Sequence, residues 1–171
     1  MQYWLFAFLT GLYALCLANI PFSPITFILG LPLAVWLSNV LHETAHLLSY
    51  LCLRIPWRRL RISCFVLHHE NGALRFNLDR HSGLYMAECT CLYEEDIPHW
   101  KYCIALLNGG LACALACPIA LCLSLPLTGP GDSCLCGIGL AFGLNAMMNL
   151  LNPRSADRLL IKRFWKEGKV F

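Results

Sequence analysis

The first 53 residues of the chain contain no lysine or arginine, and Glu43 is their only acidic residue. A soluble domain carries charge over its whole surface, at about a quarter of its residues on average. A stretch this long and this apolar cannot form the water-exposed surface of such a domain. Because 58% of all residues are hydrophobic and 13% are charged, the sequence predicts a membrane protein.

Four apolar segments come close to or exceed the length needed to cross the hydrocarbon core, which takes about 20 helical residues. They lie at about 3–19, 25–53, 102–127 and 134–151. The first lacks the basic start and the small-residue cleavage site of a signal peptide, so it is interpreted as a span. We therefore expect one polytopic membrane domain over residues 1–171, an α-helical bundle with about four transmembrane helices.

Positive charge predicts the orientation of these spans. The links between the first two spans and between the last two carry none, whereas basic residues follow the second and the fourth span. They are Arg54, Arg58, Arg59 and Arg61, and then Arg154, Arg158, Lys162, Arg163, Lys166 and Lys169. Because such residues concentrate on the cytoplasmic side, we expect a multi-pass protein of the cell membrane with both termini in the cytoplasm. These basic residues at the cytoplasmic ends of the spans account for the net charge of +3. No nucleic-acid partner is therefore indicated.

The polar segment between the second and third spans has the pattern of β-strands. Residues 60–69 and 73–79 flank Glu-Asn-Gly, which is typical of a hairpin turn, and residues 82–93 offer a third strand. We therefore expect a small β-rich cytoplasmic insert at about 59–92. After the fourth span, residues 155–168 predict an amphipathic helix that lies along the membrane interface.

The second apolar segment contains His42, Glu43 and His46 in the pattern His-Glu-x-x-His. Residues i and i+4 of a helix project from the same face, so both imidazoles are placed to bind one zinc ion. Glu43 would then lie beside the metal and accept a proton from zinc-bound water. Ionisable side chains in a span are costly and are functional candidates. The alternative is a hydrogen-bonded histidine pair in a helix bundle, with Glu43 protonated.

A catalytic zinc ion takes three protein ligands and keeps one position open. Asp157 is the favoured third ligand, because Pro153 interrupts the helix before it and a chain folding back there would approach the bundle. The competing acids are Glu88, Glu94 and Glu95 in the loop between the second and third spans. The alternative role of Asp157 is a helix N-cap or an interfacial charge.

The order of these motifs resembles that of the site-2 protease family of intramembrane zinc metalloproteases. The resemblance covers about residues 25–165 and rests on HETAH, the strand-rich insert, Asn108–Gly110 in the next span and NLLNPRSAD at the end of another. That family pairs His-Glu-x-x-His with a later Asn-x-x-Pro…Asp-Gly motif, and the corresponding residues here are Asn149 and Asp157. Two positions depart from the pattern: the proline falls one place late, at Pro153, and Arg158 stands where the family has glycine.

The resemblance implies a zinc metalloendopeptidase with one zinc ion per chain, bound by His42, His46 and Asp157. Glu43 would activate a zinc-bound water, and Asn149 would donate a hydrogen bond to the substrate or to the developing oxyanion. The expected substrate is a membrane protein or a membrane-associated peptide, cleaved in or near a transmembrane segment after local unwinding. A strand edge of the insert would hold the unwound peptide extended.

Two alternatives to the protease stay open. The first is a catalytically inactive membrane protein of the same fold that binds metal or a partner, and the departure at Arg158 motivates it. The second is a metal transporter. Acidic and histidine residues do not recur through the first and third spans to form a path for ions, which counts against transport.

Overall fold

The computed structural model of the chain describes residues 24–70, 72–79, 81–124 and 130–167. These residues form four helices and one four-stranded antiparallel sheet. The helices are α1 (Pro24–Leu53), α2 (His99–Ser124), α3 (Pro130–Leu150) and α4 (Ala156–Glu167). The strands are β1 (Trp57–Ile62), β2 (Phe65–Glu70), β3 (Ala73–Leu78) and β4 (Ala87–Cys91).

The prediction of a bundle of about four transmembrane helices is wrong. Among the described residues, only α2 is both long enough and apolar enough to cross a membrane by length and composition. The apolar stretch of α3 covers only Cys134–Leu150, and polar residues interrupt the apolar run of α1 from Ser38 onward. The predicted first span, 3–19, lies outside the described residues. The four-stranded sheet lies between Trp57 and Cys91, in the part of the chain that the sequence predicts to be a β-rich insert.

Helices α1, α2 and α3 pack pairwise against one another. Gly110 allows α2 and α3 to approach closely, because a Cβ at that position would lie 2.8 Å from Leu150 Cδ2. The outer surfaces of the three helices carry large exposed apolar side chains. Among them are Val35, Leu48, Leu115, Ile119, Leu140 and Leu144.

The sheet has the strand order β3-β2-β1-β4. The predicted hairpin is present: Glu70 pairs with Ala73, and Gly72 has a φ of 75°, which glycine adopts without steric cost. The predicted strand at 60–69 is instead divided by a turn at Ser63 and Cys64, so that it contributes to both β1 and β2. Strands β1 and β4 contact α1, and β4 is the edge strand on that side.

Helix α4 is held against the rest of the molecule by an aromatic contact. Phe164 is buried and stacks on Tyr102 of α2, with ring centroids 5.0 Å apart and planes 10° apart. Tyr50 of α1 and Trp57 of β1 belong to the same core cluster. The cluster therefore joins the sheet, α1, α2 and α4, and it places the first turn of α4 beside α1.

Candidate metal centre

His42 and His46 project from the same face of α1 and are almost completely buried, at 5% and 2% exposure. Their Nε2 atoms lie 3.0 Å apart, and their ring planes are nearly perpendicular, at 89°. Asp157 lies 115 residues after His42, yet its Oδ2 atom is 3.0 Å from His42 Nε2 and 3.4 Å from His46 Nε2. The structure thus brings together the three side chains that the sequence predicts as ligands.

The spacing of these three atoms suits a tetrahedral metal ion. Zinc binds imidazole nitrogen and carboxylate oxygen at about 2.0–2.2 Å, so two ligand atoms of a tetrahedral site lie about 3.3 Å apart. The observed separations of 3.0, 3.0 and 3.4 Å are close to that value. Two histidines and one carboxylate are also a common ligand set of catalytic zinc. The donor set and its spacing therefore fit one zinc ion.

The ring of His46 is oriented by α2. Its Nδ1 atom lies 2.8 Å from the carbonyl oxygen of Ala105. Because a carbonyl oxygen only accepts hydrogen bonds, Nδ1 carries a proton, and in the neutral imidazole the lone pair of Nε2 is then available to a metal ion. The Nδ1 atom of His42 is buried and has no hydrogen-bond partner among the described residues.

Gly109 of α2 makes room for the two imidazoles. A Cβ at this position would lie 2.5 Å from His46 Nε2 and 2.7 Å from His42 Cε1, both far closer than van der Waals contact. On the neighbouring turn, the Asn108 amide donates to Ser49 Oγ of α1 at 2.7 Å. In the Asn-Gly-Gly sequence, Gly109 therefore allows α2 to pass close to the histidines, and Asn108 hydrogen-bonds α2 to α1.

The carboxylate of Asp157 is in a form that can bind a cation. Burial alone would raise the pKa of Asp157, but hydrogen bonds to His42 and His46 outweigh burial and hold this pKa below its usual range. Asp157 is therefore ionised at neutral pH, and its negative charge faces both imidazoles.

Glu43 and Asp157 border the same cleft, which has a volume of about 360 Å³. His46 also lines it, together with residues of α2 and α4, and so does every residue of β4, Ala87–Cys91. The backbone amide of Cys89 lies near the Glu43 carboxylate. The predicted general base, two predicted ligands and an edge strand therefore share one cavity.

Asn149 is placed elsewhere. Its amide nitrogen donates to the carbonyl oxygen of Asn145 at 3.1 Å and to Asn145 Oδ1 at 2.8 Å. Asn145 in turn donates to Ser38 Oγ and Asn39 Oδ1, at 3.2 and 3.1 Å. This network lies between α3 and α1 on a separate cavity of about 300 Å³. In this arrangement Asn149 supports Asn145, which links α3 to α1, and Asn149 does not line the cleft of Glu43.

The competing carboxylates of the insert are not brought to the histidines. Glu88 forms a two-pronged salt bridge with Arg59, with both oxygens 2.9 Å from one guanidinium nitrogen. Within the described residues, the one group of three or more metal-ligating side chains at suitable spacing is His42, His46 and Asp157.

Sequence reasoning did not find the roles of Gly109, Asn145 and Phe164. Gly109 was noted only as part of the Asn-Gly-Gly sequence. Phe164 had a detectable signal, because it follows Asp157 by seven residues and Leu160 by four on an amphipathic helix. Asn145 had a comparable signal: it stands one helical turn before Asn149.

Comparisons of the chain with protein-family models, with curated proteins and with solved structures find no match. The resemblance to the site-2 protease family therefore stays a prediction that rests on the motifs. The convergence of His42, His46 and Asp157 and the cleft beside them are observations that do not depend on that resemblance.

Proposed function

We propose that this protein is a membrane zinc metalloendopeptidase that hydrolyses a peptide bond in or near a transmembrane segment of its substrate. The observation that supports this best is the meeting of His42, His46 and Asp157 at the wall of the cleft that holds Glu43. Three ligands with an open fourth position facing a cavity are the arrangement of a catalytic zinc site, whereas structural zinc sites are closed by four protein ligands.

The proposal assigns three of the four residues to the metal and one to the proton transfer. His42, His46 and Asp157 hold the metal, and Ala105 keeps His46 in the tautomer that leaves Nε2 free to bind. A bound zinc ion would supply Lewis acidity toward a water molecule and the scissile carbonyl. Glu43 takes the proton of the attacking water and later delivers it to the leaving amine.

The position of Glu43 next to strand β4 supports this role. The backbone amide of Cys89 lies near the Glu43 carboxylate, and both residues line the same cleft. A peptide that pairs with β4 would therefore pass close to the proposed base.

Strand β4 offers a surface for an unwound peptide. It pairs with β1 on one side only, and its whole length lines the cleft. An extended peptide that adds to this edge would form backbone hydrogen bonds, which depend little on sequence. It would run past Glu43 and the metal position, so its carbonyl groups would lie within reach of both.

A lipid bilayer is the environment that best fits the helices. The buried side of α1 is polar and includes Ser38, His42, His46 and Ser49, whereas Leu48 and Leu51 of the same helix are 56% and 54% exposed. This is the reverse of a soluble amphipathic helix. A continuous apolar surface of this kind marks contact with lipid or a partner, and we infer that it contacts lipid of the cell membrane. The basic residues of β1 and α4 then belong on the cytoplasmic side.

The deciding experiment is single-turnover cleavage of a broad library of transmembrane and membrane-associated peptides by the purified protein in micelles. Glu43→Gln is the matched variant, because it keeps the size and polarity of the side chain but removes the base. We expect it to lose roughly 100-fold or more in rate, as general base catalysis contributes about 10²–10⁴-fold, while it still binds one zinc ion per chain. Equal rates in both proteins would overturn the proposal.

The second candidate is an inactive relative that binds metal or a partner. The placement of Asn149 in the network with Asn145, away from Glu43, and the arginine at position 158 favour it. This candidate predicts stoichiometric zinc binding with no hydrolysis of any library member by either protein. Hydrolysis by the wild type therefore separates the two candidates, and zinc content measured on the same samples shows that the proteins compared are loaded with metal.

A further inference from the structure

Helix α4 separates two cavities. The face toward α1 and α2 lines the cleft of Glu43 and carries Asp157, Leu160 and Phe164. A different face lines a second cavity, of about 430 Å³, and carries Arg158, Lys162 and Trp165. The remaining wall of the second cavity consists of Leu151, Pro153 and Ile161. One short helix thus presents a predicted metal ligand to one side and a pair of cations to the other.

Arg158 is fixed at the mouth of the second cavity. Its Nε donates to the carbonyl oxygen of Leu150, the last residue of α3, at 2.8 Å. This bond leaves the two terminal nitrogens of the guanidinium to face other groups. Among the side chains that the structure describes, which end at Trp165, no carboxylate forms a salt bridge with Arg158 or Lys162. The cavity therefore has two positive charges that no described acid neutralises.

Apolar surface adjoins these two charges. Leu151 is 68% exposed and Trp165 is 79% exposed. Beyond them, the outer face of α3 continues the apolar surface with Leu144, Met147 and Met148, all exposed. A free phosphate ion needs no such wall, whereas a phospholipid presents a phosphate and acyl chains together. Tryptophan is also the residue type enriched at the boundary between lipid and water.

We propose that this cavity binds an anionic phospholipid, with Arg158 and Lys162 contacting its phosphate and Leu151 and Trp165 contacting its glycerol backbone and acyl chains. Arginine suits this role because its guanidinium binds phosphate oxygens through two parallel hydrogen bonds. Basic pockets beside membrane helices bind such head groups. This proposal gives a function, binding of the lipid phosphate, to Arg158, which stands where the site-2 protease family has glycine.

Lipid in this cavity also stabilises the metal site. Arg158 and Asp157 are adjacent on the first turn of α4, so a lipid that holds Arg158 against the end of α3 keeps Asp157 against His42 and His46. This coupling rests on the proposed metal site, whereas the binding of lipid does not. Because linkage is reciprocal, zinc binding tightens lipid binding by the same factor.

The test of lipid binding uses the full-length protein purified from nanodiscs of phosphatidylcholine that contain a minor fraction of phosphatidylglycerol. Native mass spectrometry counts the lipids that stay bound. We expect wild type to retain phosphatidylglycerol in preference to phosphatidylcholine. The double variant Arg158→Gln/Lys162→Gln loses about tenfold or more of this preference, because it removes two hydrogen bonds to a charged group.

Three controls keep this result interpretable. Arg75→Gln, which removes an exposed cation of β3 outside the cavity, keeps the preference. Arg158→Lys with Lys162 intact keeps both positive charges and should retain most of the preference for phosphatidylglycerol. That result shows that the preference depends on the charge at position 158 and that its loss in the double variant is not a folding defect. Inorganic phosphate is the third probe: if it displaces the phosphatidylglycerol, the cavity is a site for free phosphate and the lipid proposal is wrong. Equal retention by wild type and the double variant also overturns it.

The coupling is tested by zinc affinity in nanodiscs with and without phosphatidylglycerol. We expect the lipid to tighten zinc binding of wild type about fivefold, at the low end of measured coupling energies, and to leave the double variant unchanged. Equal zinc affinity with retained lipid preference would refute the coupling and leave the lipid site in place. Zinc binding by neither protein, with lipid preference intact, would refute the proposed metal site instead.

Discussion

The Nδ1–H of His46 donates to the carbonyl oxygen of Ala105 at 2.8 Å, so α2 orients a ring that α1 carries. The metal position is therefore defined by three elements: α1 supplies two imidazoles, α2 fixes one of them, and α4 supplies Asp157. The proposed binding of zinc would therefore depend on how these helices pack, and a substitution in each helix tests its contribution.

Removing any one of the three ligands should weaken zinc binding. We expect His42→Ala, His46→Ala and Asp157→Ala each to lower affinity by more than the roughly 10–100-fold that loss of a supporting hydrogen bond costs. Competition with a chromophoric chelator measures the dissociation constant. Glu43→Gln is the control and should bind zinc as wild type does. Wild-type affinity in Asp157→Ala would show that Asp157 is not the third ligand.

Gly109 should tolerate no side chain. The Cβ of alanine would lie 2.5 Å from His46 Nε2, so Gly109→Ala must displace the imidazoles or separate α1 from α2. We expect a loss of about 1–3 kcal/mol in free energy of unfolding, as overpacking in a close-packed interior costs, together with weaker zinc binding. Thermal unfolding and chelator competition measure the two effects.

The matched control for Gly109 is Gly137→Ala in α3. There the added Cβ would meet Phe27 at 3.6 Å, which is an ordinary contact. Alanine also favours helix over glycine by about 1 kcal/mol, so this variant should be as stable as wild type or more stable. If the two alanine variants behave alike, close approach of α2 to the histidines is not what position 109 requires.

The arrangement of site residues within one helix was predictable from the sequence. The contacts between residues on different helices could not be derived from the spacing of residues along the chain. The i, i+4 spacing of His42 and His46 fixes their common face on any helix. Asp157 reaches the histidines through the break after α3 and the packing of α4, where Phe164 stacks on Tyr102. The sequence pointed to Asp157 through the helix break at Pro153 and through the motif order, but it did not show the packing. Periodicity along one segment carries no information about contacts between segments.

The fold class was mispredicted for a related reason. Hydrophobic windows measure composition, and they count the apolar residues of α1 without regard to Ser38, Asn39 and Ser49 among them. In the structure Ser38 and Ser49 are buried against the other helices. The turn at Ser63 and Cys64 was missed because Phe65 follows directly, so the apolar pattern of residues 60–69 reads as one strand.

The stacking of Phe164 on Tyr102 should be required for Asp157 to reach the histidines. Phe164→Ala removes a buried ring, and we expect a loss of about 3–5 kcal/mol in free energy of unfolding. Since α4 loses its anchor, zinc affinity should fall as well, although position 164 contacts no ligand atom. Leu159→Ala on the same helix is the control, because Leu159 is 45% exposed. A stable Phe164→Ala protein with wild-type zinc affinity would show that another contact positions Asp157.

Binding of an extended peptide at β4 should depend on the outward-facing backbone N–H of Ala87. Ser63 donates to the carbonyl oxygen of Met86, and Leu92 donates to that of Pro56, so the even-numbered residues of this segment form the backbone hydrogen bonds with the β1 side. The N–H groups of the odd-numbered residues of β4 therefore point away from β1. Ala87→Pro removes one outward donor and spares the bonds to β1. Loss of one backbone hydrogen bond costs about 0.5–1.5 kcal/mol, which lowers kcat/KM about two- to tenfold.

The control for Ala87→Pro is Ala87→Ser. Serine keeps the backbone N–H and, like proline, is only slightly larger than alanine. Zinc affinity should be the same in both variants and in wild type, because Ala87 contacts no predicted ligand. We expect the loss to appear in KM more than in kcat, since the same bond is present in the ground state and in the transition state. If proline and serine at this position give the same kcat/KM, the peptide does not pair with this edge of the sheet, and the substrate reaches Glu43 by another path.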